Sequence, residues 1–111
     1  MSEIKHTPGP WTSAAKIARD GYEVFAIQSG DVTICSVDAP DAGRYHVPNH
    51  HLVKKANADL ISAAPDMAMV LEMLAAEADA GTVMIPSGLR LTIDAALIKS
   101  GRKAAPVRNG D

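Results

Sequence analysis

A chain of 111 residues fits one domain, and its 47% apolar content is enough for a core, which excludes wholesale disorder. Only 4% of the residues are aromatic, so Ala, Val, Ile, Leu and Met must fill that core. A formal net charge of −2 argues against a nonspecific binder of nucleic acid or of an anionic membrane. Cys35 is the only cysteine, which excludes an intramolecular disulfide and suits a reducing compartment. The polar opening Met1–Lys5 runs straight into Pro8 without a basic-then-apolar leader, and every apolar run falls short of the ~20 residues of a membrane helix. A cytoplasmic location is the expectation.

In chain order, Thr7-Pro8-Gly9-Pro10 reads as a type II turn, with Pro8 presetting φ and Gly9 accepting a positive φ. Three extended runs follow, at 11–18, 22–28 and 32–37, separated by Asp20-Gly21 and Ser29-Gly30-Asp31. Short turns between β-rich runs are hairpin signals, so an antiparallel meander is expected. The third run alternates Val32, Ile34 and Ser36 against Thr33, Cys35 and Val37. Residues 38–50 carry Pro, Gly and Asn and read as a loop.

The period then changes from two to helical. Leu52, Val53, Ala56, Leu60, Ala63 and Ala64 share one face of a wheel, with Lys55 and Asp59 placed to pair on the other side. Pro65 is expected to end this helix and to open the next, at about 66–80. That second helix puts Met67, Val70, Leu71, Leu74 and Ala78 on its main apolar face, and Gly81 stops it. Residues 82–85 suit a short fourth strand before a Pro86-Ser87-Gly88 turn. A third helix is expected at 91–100, capped by Gly101. The domain is drawn as 1–101, with 102–111 as a flexible basic tail.

"HTPGPW" at the start and "NADLISAAPDMAMVLEML" later resemble a family of small proteins of tailed phages and prophages. Its members open on T-P-G-P-W and close on N-A-x-L-I-A-A-A-P-[DE]-L-L-x-A-L. The matching positions are Thr7, Pro8, Gly9, Pro10 and Trp11, then Asn57, Ala58, Leu60, Ile61, Ala63, Ala64, Pro65 and Asp66. Ser62 stands for an alanine and Met67 for a leucine. The arrangement is also similar to the Ead-like phage proteins, which join an N-terminal sheet to a comparable Asn-Ala helix. The resemblance implies a phage origin and names no chemistry.

Trp11 reads first as a structural staple on a core short of aromatics, and secondarily as a stacking platform. His46, His50 and His51 with Cys35 form a loose set; Pro48 disrupts the helical spacing that zinc would want, and no metal or cofactor is expected. Cys35 in mid-strand reads as a buried thiol. Without a nucleophile elbow, a P-loop or a G-x-G-x-x-G run, the chain reads as a non-enzyme. Between Asp59 and Asp79 there are five acidic residues and no Lys or Arg, which argues against direct DNA binding by this helical pair.

Met69, Met73 and Ala76 form a second apolar stripe on the second helix, flanked by Glu72 and Asp79 on one side and Asp66 and Glu77 on the other. An apolar strip with a polar rim has the composition of a protein contact, unless a helix or sheet of the same chain covers it. Asn57 lies at the edge of the first helix's apolar face and is expected half-buried. Arg90, Lys99, Arg102, Lys103 and Arg108 set five cations against Asp94 in 90–108. That is a solvated face or a place for the phosphates of a nucleotide, with Trp11 or Tyr45 to stack on a base.

The expected fold is α+β: a small antiparallel sheet of three or four strands followed by two or three packed helices. The leading functional expectation is a phage accessory protein of the host cytosol, homo-oligomeric, that binds rather than catalyses. Its partner would be a host antiviral defence protein or complex, contacted as anti-CRISPR proteins contact theirs. The alternatives are an oligomeric sponge for a nucleotide second messenger and a structural or regulatory phage protein.

Overall fold

Three strands come first and pair in the order in which they are written. The computed structural model describes residues 5–17, 19, 21, 23–38 and 50–106. Strands β1 (Thr12–Ile17), β2 (Glu23–Ser29) and β3 (Val32–Val37) form one antiparallel sheet in the order β1-β2-β3. Helices α1 (His50–Asp79) and α2 (Ser87–Lys99) follow, so the fold is α+β as expected. By contacts the chain divides into two compact units, His6–Pro65 and Met1–Lys5 with Asp66–Asp111.

In the first unit, Ile27, Val37 and Ala58 are buried together, with Trp11, Phe25 and Ile34 packed against them. Ile34 and Val37 are three residues apart, so a regular two-residue period cannot turn both inward. The register slips at Ile27/Gln28, where Cys35 and Thr33 are the successive partners and Ile34 is the extra residue. Such a bulge lets both side chains reach the core. Cys35 corrects the expectation of a buried thiol. It is exposed, on a strand that among the described residues pairs with β2 alone.

Pro65 does not break the helix; α1 is continuous through it. Proline inside a helix removes one backbone hydrogen bond and crowds the preceding turn, a cost of about 3 kcal/mol. Packing of the ring offsets part of that cost, because Pro65 is buried and Gly9 lies against it. A Cβ built on Gly9 would stand 3.3 Å from Cβ of Pro65. Gly9 does not take the positive φ expected of a type II turn, and the Gly9–Pro10 peptide is cis. A side chain at this glycine would press on the Pro65 ring. Gly9→Ala is therefore expected to cost about 1 kcal/mol by overpacking, seen as a lower melting temperature; an unchanged melt would contradict this contact.

The inward face of α1 in this unit is also displaced from expectation. Leu52 and Leu60 are more than half exposed, whereas Lys54, Ala58 and Pro65 are buried. The small side chain of Ala58, wholly buried, occupies the contact line with the sheet residues Ile27 and Val37. Lys54 is tolerated on this face because its ammonium donates to the carbonyl of Glu23 at the start of β2. Asn57 is exposed rather than half-buried, since it sits just off that line. The Lys55–Asp59 pair forms as expected, at 2.9 Å.

In the second unit, Ala75, Ile93 and Leu97 are buried, with Leu71 and Ile85 packed on them. Of the expected apolar face, Met67, Val70 and Leu74 are exposed instead. The buried line of α1 here runs through the small residues Ala68 and Ala75. Residues 82–85 form no strand, and α2 begins at Ser87 rather than 91. Pro86, at φ −56° and ψ 144°, stands as the cap from which the helix starts.

Both helices end in the same motif. At Gly81 (φ +81°) the Thr82 N–H donates to Glu77 O and the Gly81 N–H to Ala78 O. At Gly101 (φ +78°) the Arg102 N–H donates to Leu97 O and the Gly101 N–H to Ile98 O. These are Schellman closures, which a side chain at either glycine would strain. The sequence places both stops correctly.

Candidate protein-binding surface

The methionine stripe is open. Met69 is 48% exposed and Met73 60%, and no described residue of the second unit buries them. Asp66 lies exposed beside them, and Glu77 accepts a hydrogen bond from the Thr82 hydroxyl. The remaining two rim carboxylates are held within the unit. Glu72 pairs with Arg102, whose Nε donates to Oε1 at 2.7 Å, and Asp79 pairs with Arg90 at 2.8 Å. Arg90 also reaches Asp94 at 3.1 Å and the Ala75 carbonyl at 3.4 Å, and Lys103 meets Asp94 at 3.1 Å.

These pairs fix α2 and the residues after it against 66–79 of α1. Arg102 and Lys103, assigned to the tail from sequence, are tied by their side chains and by backbone bonds to Leu97 O. The Arg90 hydrogen bond, with its positive charge, holds the Asp79 carboxyl below its ordinary range. Hydrogen bonds from Lys103 and then Arg90 do the same for Asp94. The two carboxylates in turn push the Arg90 guanidinium further up.

The sign of the pH dependence follows. A carboxylate depressed in the folded state contributes stability that is present above its unfolded pKa of ~4 and is lost as pH falls through the folded value. Helicity of the second unit is therefore expected to melt earlier below about pH 4 than at pH 7, as read by circular dichroism. A melt unchanged down to about pH 2 would contradict it.

The residues named for a nucleotide are divided between the two units. Trp11 belongs to the first unit, where its indole packs on the Ile27 cluster and its Nε1 donates to Thr7 O at 3.0 Å. His6 stands edge-on to it at 5.8 Å. Arg90, Arg102 and Lys103 belong to the second unit, and each already meets a carboxylate. Tyr45 and His46 lie outside the described residues. Among the described residues, no three His, Cys, Asp or Glu side chains come together as a metal site, and no helix is long and apolar enough to cross a membrane.

Two features escape the sequence reading. Lys54 carries no signal in the sequence, because only the structure supplies the Glu23 carbonyl that accepts from it. The Arg90 network has a partial signal in the four-residue spacing to Asp94, but its longer link to Asp79 depends on how the helices pack.

The two motifs singled out in the sequence meet in space, since Gly9 of "HTPGPW" lies against Pro65 of "NADLISAAPD". A family model described as Salmonella phage P22 protein Y8K6 matches residues 1–105. No curated protein and no solved structure matches the chain.

Proposed function

This chain belongs to the family described as Salmonella phage P22 protein Y8K6, and from that premise we propose that it is a non-enzymatic phage accessory protein that acts by binding in the bacterial cytoplasm. Its partner is a host antiviral defence protein or complex, inhibited by direct contact as anti-CRISPR proteins inhibit theirs. One observation carries the reading: Met69 and Met73 stand exposed on a helix whose neighbouring carboxylates are fixed by arginines. Flexible thioethers on a rigid, acid-rimmed helix suit an adaptable apolar contact whose surroundings lose little entropy on binding. A kinship with Ead-like phage proteins is part of the proposal, supported by the contact that joins the two motifs behind it.

The nucleotide-sponge reading has weaker support. Phosphates would have to displace Asp79, Asp94 and Glu72 from Arg90, Lys103 and Arg102 before gaining a contact. Thermal shift with cyclic di- and trinucleotides separates the two readings, because a sponge melts later with its ligand and a protein-contact inhibitor does not.

The direct test is co-purification of the tagged chain from infected host cells. The proposal expects one stoichiometric defence component, absent when Met69→Lys and Met73→Lys are combined. A partner that persists in that variant would overturn this surface.

A further inference from the structure

We propose that a second copy of this chain covers the apolar side of the helical hairpin formed by residues 66–79 of α1 and by α2, the two hairpins closing into a four-helix bundle. This deepens the homo-oligomeric part of the reading above and names its surface. It does not depend on who the host partner is.

The ion pairs define the two sides of the hairpin. Arg90–Asp79, Arg102–Glu72 and Lys103–Asp94 all lie along one side of the crevice between the helices. At 100° per residue, Met67, Leu71 and Leu74 then fall on the opposite side of α1, and Leu89, Ile93 and Ala96 on the matching side of α2. Ile93 belongs to the buried cluster and Leu71 packs on it, which marks where this side begins. Met67, Leu74 and Leu89, further out, are exposed although apolar.

The hairpin's own core is thin. Its buried cluster is Ala75, Ile93 and Leu97, because two helices can bury only one stripe each against the other. A four-helix bundle gives each helix a second buried stripe, and the exposed residues supply it at helical spacing. The two helical segments are each about 20 Å long and pack about 9 Å apart. A face about 20 Å long and two helix diameters wide presents ~400 Å² in projection, ~800 Å² for a two-fold pair, and more as accessible surface where the side chains interdigitate.

Charge selects a second copy as the occupant. The rim beside α1 is acidic, with Asp66 and Glu77, while the rim beside α2 carries Lys99 in its last turn. A two-fold axis parallel to the helices sets the α1 rim of one protomer against the α2 rim of its partner, so opposite charges meet on both sides, whereas the perpendicular two-fold would set acid against acid. A partner of uniform charge would be repelled by one rim or the other. Met69 and Met73 point away from this side of α1, so the dimer presents the methionine surface twice.

The test is sedimentation of the full chain at about 50 μM, where a stable interface of this class is saturated. The wild type is expected at twice its 11.7 kDa mass. Combining Leu74→Lys with Leu89→Lys is expected to raise the dimer dissociation constant by about 100-fold or more. Circular dichroism should stay helical, because both side chains are exposed in the single chain. Should that variant lose helicity, Ala96→Arg decides, an exposed position where arginine suits a helix. The variant combining Met69→Lys and Met73→Lys is expected to remain dimeric. A monomeric wild type overturns the proposal, as does a dimer that survives Ala96→Arg or a helical Leu74→Lys/Leu89→Lys variant. A wild type that captures a host component while monomeric would refute this inference alone, and a dimeric wild type that captures none would refute only the partner.

Discussion

Trp11→Ala is expected to remove about 3 kcal/mol from the stability of the His6–Pro65 unit, measured by denaturant unfolding. The indole is half-buried and lies against the cluster of Ile27, Val37 and Ala58. Its Nε1–H donates to Thr7 O at 3.0 Å, and truncation removes that bond while His6 Nδ1 still meets the same carbonyl at 2.8 Å. Full burial would place the cost at the upper end of the usual ~3–5 kcal/mol, and partial exposure places it at the lower end. Small domains have total stabilities of about 5–15 kcal/mol, so this one change is a large fraction. Trp11→Phe keeps most of the ring contact and loses the N–H bond, so about 1 kcal/mol is expected. If Trp11→Phe abolished binding without lowering the melting temperature, Trp11 would be a recognition residue and its structural role here would be wrong.

Met69→Lys combined with Met73→Lys is expected to do the reverse. Both side chains are about half exposed, so stability should change by no more than about 0.5 kcal/mol. Affinity for the captured partner should fall at least about 100-fold, since two buried thioether contacts become two charges that must be desolvated. Titration of the purified partner, with circular dichroism as the folding control, reads both quantities. A fall in stability with affinity unchanged would show that the stripe is core and not contact.

The sheet-then-helix order, the turn at Gly30 between β2 and β3 and both glycine stops were legible because each has a local cause. Hairpin turns and Schellman closures depend on residues adjacent in sequence, so Gly81 and Gly101 announce themselves. The faces of α1 were not legible. A hydrophobic wheel ranks Leu60 above Ala58, yet Ala58 is wholly buried and Leu60 is largely exposed. Close approach selects small side chains, and the distance between helix and sheet is a tertiary fact that no wheel contains. Pro65 was misread for the same reason: its local cost is real, and the contact with Gly9 that accommodates it comes from 56 positions earlier in the chain.

The candidate surface divides in the same way. Exposure of Met69 and Met73 agrees with the stripe drawn from sequence, whereas half of its acidic rim is taken up by arginines that follow in α2 and just after it. Charge alone could not show this, because Arg90 and Arg102 read equally well as a phosphate-binding segment. The bulge at Ile34 was hidden too, since alternation in a strand looks regular until its partner is known.

Plating efficiency tests the central claim most directly. A phage lacking this gene is complemented with the wild type or with the Met69→Lys/Met73→Lys variant and plated on hosts with and without the captured defence component. The account predicts that the wild type restores plaques on the defended host, that the variant plates like the deletion, and that all three plate equally where the defence is absent. Equal complementation by the variant and the wild type, or no effect of deletion on the defended host, would contradict it.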